Sequence, residues 1–261
     1  MRIKITLLAV LLFGTVFVTL GQNVVKATGT IEDRFPKLSG NLRSSSVNVN
    51  FGPVKKNIIK KDTLRIYNAG KEKMTCKLQV KENPALLIKL QSSEIMPGKE
   101  SYIAISYDAA KIDHYGFIIE RFILETNDSI QPMKPFVITA KIEEYFPPMT
   151  AEDSANVQRA RIPETRYDYG TVTTGTVVKK EFKIYNDGKR DLLVREVKSG
   201  SSAIVVNLSA KKIAPGDSAM INLEFNTAGR EGKDNRSFSI FLNDPAKPET
   251  RFELMGTVKK D

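Results

Sequence analysis

The chain has little of the side-chain chemistry on which enzymes and metal sites depend. Its 261 residues include one cysteine, Cys76, one histidine, His114, and no tryptophan. A single cysteine excludes an internal disulfide, and one cysteine with one histidine cannot form a His/Cys zinc site. Cys76 is predicted to be a buried apolar residue of a strand rather than a reactive thiol. No metal site, cofactor or catalytic residue is predicted.

Long apolar runs are also absent, except at the start of the chain. Arg2 and Lys4 precede an apolar stretch over 7–20, and small or polar residues follow from Gly21. This stretch is too short to span a bilayer, so residues 1–22 are predicted to be a signal peptide. Cleavage after Gly21 or after Ala27 fits the pattern, and a retained N-terminal anchor is the alternative. The mature chain is predicted to have no transmembrane segment.

Charge adds little information about partners. The formal net charge is +10, and removal of Arg2 and Lys4 lowers it to +8. The excess is spread along the chain without a basic tail, so no nucleic acid partner is predicted. A weak preference for anionic surfaces is the most that this charge indicates.

What the sequence does contain is a duplication. The phrases RIYNAGK, at 65–71, and KIYNDGK, at 183–189, lie 118 residues apart. The same register aligns FGPV with YGTV and MPGK with APGD, and a shift to 116 aligns the later Asn-Asp pairs. A repeat of about 100 residues is a whole domain rather than a solenoid unit.

Apolar residues alternate in both copies, with turn residues at intervals of about ten, which is typical of antiparallel β-sandwiches. The first copy gives strands near 59–67, 75–80, 102–107, 118–126 and 135–142. The second gives strands near 177–185, 193–197, 219–225, 237–242 and 252–258. The prediction is an all-β protein with a flexible arm over 23–44, domains over 45–145 and 162–261, and a linker over 146–161 that contains a short helix.

The repeated phrases are predicted to be turns rather than chemistry. An asparagine starts a turn through its own side chain, and glycine adopts the positive φ that a tight hairpin demands. Proline followed by glycine is a second turn signal. The structural turn residues are therefore Asn68, Gly70, Pro97, Gly98, Asn186, Gly188, Pro215 and Gly216.

The motifs YDYGTV, FKIYNDG, IAPGDSAMINLEF and FELMGTV make the second copy resemble a bacterial family of unknown function that is abundant in the Bacteroidota. This family has an immunoglobulin-like fold related to the ASH, Hydin and major-sperm-protein group, and the first copy resembles it more loosely. The resemblance implies tandem immunoglobulin-like domains and, with the signal peptide, export to the periplasm or cell surface of a Gram-negative bacterium. Many members carry a Cys-Gly-Cys motif where this chain has SGSSA, so no redox or metal role transfers.

Few residues remain as candidates for chemistry or modification. His114 lies beside Asp113 in a loop, and adjacent residues rarely converge on one site. Glycoside chemistry by two carboxylates stays open, because any two acids can meet in space. The tripeptides DSA, DSI and DSA resemble an O-glycosylation acceptor of the Bacteroidota at Ser154, Ser129 and Ser218, as does DTL at Thr63. Asp-Ser turns are the alternative explanation.

Two function classes follow. The first is a non-enzymatic binding or scaffold protein of the cell envelope, whose protein partner contacts sheet edges and end loops. Within the first copy the candidate binding loop is 109–117, with His114 and Tyr115 exposed at its tip. The second is a PapD-like periplasmic chaperone that works by strand donation and needs a basic anchor between its domains.

Overall fold

The protein is built almost entirely of β-strands, arranged as two β-sandwiches in series. A computed structural model describes residues 29–260. The predicted signal peptide, 1–22, and the first part of the predicted arm lie outside the described residues. Within residues 29–260, no helix is long and apolar enough to cross a membrane.

The first domain has seven longer strands and three short ones. Its two sheets have the strand orders β1-β2-β4-β8-β6 and β3-β10-β9-β5-β7. The strands are β1 (Lys37–Ser39), β2 (Leu42–Ser44), β3 (Asn48–Lys55), β4 (Ile59–Asn68), β5 (Met74–Val80), β6 (Leu86–Leu90), β7 (Glu94–Ile95), β8 (Glu100–Asp108), β9 (Gly116–Thr126) and β10 (Met133–Glu143).

The second domain repeats this plan with seven longer strands and two short ones. Its sheets have the orders β11-β13-β17-β15 and β12-β19-β18-β14-β16. The strands are β11 (Ala160–Arg161), β12 (Arg166–Thr173), β13 (Val177–Asn186), β14 (Leu192–Ser199), β15 (Ile204–Leu208), β16 (Lys212–Ile213), β17 (Ser218–Asn226), β18 (Gly232–Leu242) and β19 (Glu249–Lys259).

The cores lie between the two sheets of each domain, as the alternation predicted. Leu64 and Ile66 of β4 are buried, as are Phe182 and Ile184 of β13. In the second domain Phe238 and Phe252 stack with centroids 4.5 Å apart, and the ring of Phe182 meets the edge of Phe252 at 5.0 Å. Because aromatic burial dominates the energetics of such a core, this cluster is the main hydrophobic anchor of the second sandwich.

In each domain, the first long strand and the last strand lie side by side and run parallel. β3 pairs with β10, and β12 pairs with β19, in parallel. Each pair is interrupted by a bulge, where Gly52 and Gly170 have φ values of 61° and 68°. The amide of each glycine donates to the side chain two residues earlier, Asn50 or Asp168.

The predicted flexible arm differs from the structure in its second half. Residues 37–44 form β1 and β2 and extend the sheet through β4. Phe35 is fully buried and stacks on Tyr67 with centroids 5.5 Å apart. The low apolar content of 23–44 concealed this contact, because a few well-placed apolar residues are enough to hold a short segment against a sheet.

The duplication also extends into the predicted linker. Helix α1 (Ile31–Arg34) and helix α2 (Ala151–Ala155) each follow a threonine that forms a capping box with an aspartate. The pairs are Thr30 with Asp33 and Thr150 with Asp153. A short helix was predicted in the linker, but its counterpart before the first domain was not. The repeated unit therefore begins with this small capped helix.

The prediction that the Asn-x-Gly phrases form hairpins is wrong. β4 and β5 belong to different sheets, as do β13 and β14, so each phrase carries the chain across the sandwich. Asn68 and Asn186 are fully buried. Asn186 Nδ2 donates to the carbonyls of Arg190 and Ile213 at 2.8 and 2.9 Å, and its Oδ1 accepts from the amide of Gly188 at 3.0 Å.

The glycine of the phrase also has a different role from the one predicted. Gly70 and Gly188 do not have positive φ. A Cβ on Gly188 would lie 2.4 Å from the amide nitrogen of Arg159 and 2.5 Å from the carbonyl oxygen of Val157. Glycine is needed there because another piece of backbone lies directly against it.

The Pro-Gly turns are confirmed. Gly98 and Gly216 have φ values of 69° and 83°. The amide after each glycine donates to the carbonyl before each proline, Lys99 to Met96 and Asp217 to Ala214, at 3.1 and 3.0 Å. Proline followed by glycine with positive φ is the type II pattern.

Candidate functional site

The candidate binding loop of the first domain is exposed over much of its length, but its end packs against the second domain. Residues 109–111 form a short 3-10 helix, and the chain then reaches the second domain. The side chain of His114 is 70% exposed, but Tyr115 is 8% exposed. The prediction that Tyr115 is exposed is therefore wrong, because Phe241 of the second domain stacks on its ring.

Tyr115 forms the centre of the junction between the domains. Its ring stacks on Phe241, with centroids 5.7 Å apart and an interplanar angle of 23°. Its amide donates to Glu196 Oε2 at 2.6 Å, and its hydroxyl donates to Glu144 Oε2 at 2.9 Å. The adjacent Gly116, with φ of 72°, leaves room for the Phe241 ring.

Charged side chains surround this contact. Lys198 Nζ donates to the carbonyls of Tyr115 and Phe117 at 3.0 and 2.7 Å. Arg195 bonds Glu144 at 2.9 Å, and Lys141 pairs with Glu249 at 3.1 Å. The junction thus combines one aromatic stack with several ionic hydrogen bonds, which favour one relative orientation of the domains.

Burial shifts the pKa values of two side chains at the junction. Burial, the hydrogen bond to Glu144 and the charge of Glu144 raise the pKa of Tyr115 to about 12. Burial lowers the pKa of Lys56, although the carboxylates of Asp113, Glu144 and Glu196 partly oppose this shift. The Lys56 ammonium lies 4.6 Å from the centroid of the Tyr115 ring and donates to the carbonyl of Ile112. His114 Nδ1 also lies 3.2 Å from Glu196 Oε1, so the predicted loop residue joins the same contact between the domains.

The exposed sheet edges are the remaining candidate surface, and several of them are protected. The free edges of β3 and β12 are broken by the bulges at Gly52 and Gly170. β4 and β13 are paired on their outer side only near their C-terminal ends, and their open parts carry Lys60-Lys61 and Lys179-Lys180. Bulges and lysines are common devices by which natural sheets discourage pairing with another chain.

Two edges are less protected, because β15 lacks both devices and β6 carries only one exposed lysine, Lys89. β6 (Leu86–Leu90, LLIKL) and β15 (Ile204–Leu208, IVVNL) are the outermost strands of equivalent sheets and pair on one side only, with β8 and β17. Leu87 is 54% exposed and Val205 is 50% exposed. Neither strand was among those predicted, because a run of apolar residues without alternation does not show the period of two.

The predicted modification sites lie in three different settings. Ser154 is within α2, and its hydroxyl donates to the carbonyl of Thr150 at 2.9 Å. Ser129 is exposed in the turn between β9 and β10, and Ser218 is exposed at the start of β17. Thr63 is exposed in the middle of β4. Glycosylation at these residues stays a prediction.

Cys76 is buried, as predicted, in the core of the first domain. Burial raises the pKa of its thiol to about 11, although the charge of Lys134 opposes this. Among residues 29–260, no group of three or more His, Cys, Asp or Glu side chains is placed to hold a metal ion.

Comparisons with known proteins agree with this architecture. Residues 160–258 match the family described as protein of unknown function (DUF1573), and residues 40–139 match the HYDIN/CFA65/VesB-like immunoglobulin-like domain. The chain is similar to immunoglobulin-like proteins of unknown function. The two matches together reach from β1–β2 to β19 and cover one domain each. The search of curated proteins found no match.

One solved structure shows the same fold, and others align less closely. A protein of unknown function from Porphyromonas gingivalis W83 aligns with 84% of this chain and 100% of its own, at 17% identity and a TM-score of 0.57. The PapD-like domain 7 of human CEP192 aligns with 45% of this chain and 94% of its own, at 14% identity and a TM-score of 0.34. The YadV chaperone aligns with 82% of this chain and 100% of its own, at 12% identity and a TM-score of 0.30.

Proposed function

We propose that the protein is a non-enzymatic binding protein of the bacterial cell envelope, and that it takes up an extended strand of a protein partner along β15 or β6. The observation that carries this proposal is the pair of open, apolar edge strands in equivalent positions of the two domains. An unpaired edge offers a row of N–H and C=O groups to another strand, and exposed apolar residues add side-chain contacts.

The predicted signal peptide supports export to the periplasm or the cell surface. The contacts at the domain junction support a fixed spacing between β6 and β15, because the two domains are held by the Tyr115–Phe241 stack and by ion pairs. A partner that presents two strands at that spacing binds with higher apparent affinity than one that presents a single strand.

The PapD-like chaperone is the alternative, and it requires a free basic anchor between the domains. Lys56, Arg195 and Lys198 lie at the junction, but each is already bonded, to the carbonyl of Ile112, to Glu144, and to the carbonyls of Tyr115 and Phe117. The binding proposal therefore has better support than strand donation to a folding subunit.

The test is site-specific photo-cross-linking in the intact cell envelope. A photoreactive residue at Val205 is expected to give a discrete protein adduct, and the same residue at Lys179, on the lysine-bearing edge β13, serves as the matched control. Asn207→Lys, which places a charge on the same exposed face of β15, is expected to remove the adduct without changing the circular dichroism spectrum.

Three results would contradict the proposal. The first is an identical adduct from the Lys179 site, and the second is capture unaffected by Asn207→Lys. The third is turnover of a glycan or peptide substrate by the purified protein. A partner that reaches its folded state only in contact with this protein would instead favour the chaperone alternative.

A further inference from the structure

The crossing turn of the second domain holds a piece of the same chain. Residues 157–159 lie across the turn that contains Gly188. Lys189 donates its amide to the Val157 carbonyl at 2.9 Å, and Asp187 donates its amide to the Arg159 carbonyl at 2.8 Å. The side-chain amide of Gln158 donates to the carbonyl of Asn243. Val157 is 8% exposed, so this segment is bound by backbone contacts and by one small apolar side chain.

In the equivalent turn of the first domain, the side chain of Asn41 packs against Gly70, and no backbone segment like residues 157–159 covers the turn. Ala69 donates its amide to the Asn41 carbonyl at 2.9 Å, which repeats the bond from Asp187 to Arg159. One residue before Asn41, however, Gly40 has φ of 58° and turns the chain away into the β1–β2 hairpin. The amide of Lys71, the counterpart of Lys189, therefore has no acceptor among the described residues.

This divergence leaves a cleft of about 380 Å³ at the end of the first domain. It is lined by Asn41, by residues 68–74 of the turn, and by Asn127–Ser129. The carbonyl of Asn127 is the counterpart of the Asn243 carbonyl, and no donor among the described residues reaches it. The cleft thus offers one N–H and one C=O in the arrangement that the second domain uses to hold residues 157–159.

We propose that this cleft binds a short extended peptide segment of another protein, and that this segment lies along residues 70–72 of the turn, beside the Asn41 side chain that packs on Gly70. A backbone carbonyl of the peptide accepts from the Lys71 amide. A glutamine or asparagine side chain donates to the Asn127 carbonyl. A small apolar residue directly precedes this glutamine or asparagine in the peptide, as Val157 precedes Gln158 in the second domain. The chain's own segment of this shape is already bound in the second domain, so the ligand is supplied by a different protein.

The proposal does not depend on the edge strands, because the cleft lies at the turn end of the first sandwich and β6 does not line it. The experiment uses the full mature chain, labelled with ¹⁵N, and the capped peptide Ala-Asn-Val-Gln-Arg-Ala, which copies residues 155–160. Titration is expected to shift the amide resonances of Gly70, Lys71 and Asn127 together.

Two substitutions and one altered peptide test the geometry. Ser129→Trp fills the cleft from an exposed loop position and is expected to weaken binding at least about tenfold. Lys247→Trp, in the corresponding exposed loop of the second domain, is the matched control and is expected to leave affinity unchanged. Replacing glutamine by leucine in the peptide removes the side-chain donor without altering the protein, and is also expected to weaken binding.

The proposal is overturned if no resonance shifts, or if the shifts are confined to residues 204–208, which would indicate binding at the edge strand. It is also overturned if Ser129→Trp or the leucine-containing peptide binds as tightly as the originals. Each result is independent of the cross-linking outcome at Val205, so failure of the cleft proposal and failure of the edge proposal are distinguishable.

Discussion

The ring of Phe241 in the second domain stacks on the ring of Tyr115 in the first, with centroids 5.7 Å apart. Both residues are nearly buried, so each domain contributes one aromatic side chain to a contact that neither has alone. Around this stack, Glu144 bonds both Tyr115 and Arg195, which ties the end of β10 to β14. The relative orientation of the two sandwiches therefore depends on a small number of residues.

Phe241→Ala is expected to loosen the junction without unfolding either domain. Removal of the ring gives up about 2–3 kcal/mol of apolar burial. Small-angle X-ray scattering is expected to show a broader distribution of interdomain distances and a larger radius of gyration. Ile119→Ala, an exposed position on β9, is the control. An unchanged scattering curve for Phe241→Ala would show that the ionic contacts alone fix the orientation.

Gly116→Ala is expected to disturb the same contact for two reasons. A Cβ at this position would lie 2.6 Å from Cζ of Phe241, and the φ of 72° disfavours an L side chain. The positive φ costs about 1–2 kcal/mol of stability for alanine, and this cost is the same whether residue 241 is phenylalanine or alanine. The clash between the new Cβ and the Phe241 ring is expected to vanish in Phe241→Ala. A double-mutant cycle of Gly116→Ala and Phe241→Ala should therefore show non-additivity of about 1 kcal/mol or more. Strict additivity would contradict this account.

The buried pair Asp128–Lys134 offers a comparison between the two domains. Lys134 Nζ lies 2.5 Å from Asp128 Oδ2, and both side chains are nearly inaccessible. In the second domain Asp244 accepts the amides of Ala160 and Ala246. The position equivalent to Lys134 is Thr250. The same loop is thus built with a buried cation in one copy and without it in the other.

Asp128→Asn is expected to destabilise the first domain by about 3–5 kcal/mol, because it leaves the Lys134 charge uncompensated. Asp244→Asn is expected to cost only about 1 kcal/mol, since amide hydrogen bonds alone are weakened. Urea unfolding measures both. The double variant Asp128→Asn/Lys134→Met is expected to recover most of the loss, and equal losses for the two single variants would refute the argument.

The pH dependence of this pair has a definite sign. Burial opposes ionisation of Asp128, but hydrogen bonds from Lys134, Asn41 and Ile130 outweigh it, so the pKa is lowered from 3.8. A lowered folded-state pKa stabilises the protein above the unfolded pKa and loses that contribution as the pH falls through the folded value. The first domain is therefore expected to lose this stabilisation only below pH 3.8.

Cys76 is expected to be unreactive in the native state. Because burial raises the pKa of the thiol to about 11, the reactive thiolate form is scarce at pH 8. A thiol-reactive chromogenic disulfide should therefore label the folded protein slowly and the urea-unfolded protein rapidly. Reductant should not change the thermal midpoint of the monomer. Rapid labelling of the native chain would show that the first domain opens locally.

Alternation identified the buried faces of the strands correctly, because the period of two depends only on which face meets the core. Phe182 and Ile184, in the strand predicted near 177–185, alternate with polar residues, and both are buried. Alternation does not show which sheet the next strand joins, so the turn at Asn186 was interpreted as a hairpin. The buried side-chain amide of Asn186 donates hydrogen bonds to two backbone carbonyls, and no short sequence pattern predicts these contacts.

The candidate surfaces were harder to predict than the fold. Tyr115 was expected at an exposed tip because only its own loop was considered, and the covering ring, Phe241, lies 126 positions later in the chain. The edge strands β6 and β15 were missed because their apolar side chains do not alternate with polar ones. Contacts between domains and the absence of a neighbour beside a strand are both properties of the assembled sheets rather than of any short segment.

The parallel pairing of β12 with β19 determines how the second domain responds to mechanical load. A pull on the start of β12 and on the end of β19 acts along the strands in opposite directions, so it shears the six paired positions together instead of peeling them one at a time. A chain tethered at both ends of this domain would therefore resist extension strongly. In single-molecule force spectroscopy, a pull that peels β18 from β19, through attachment points at Gly232 and Lys259, is expected to unfold the domain at a markedly lower force.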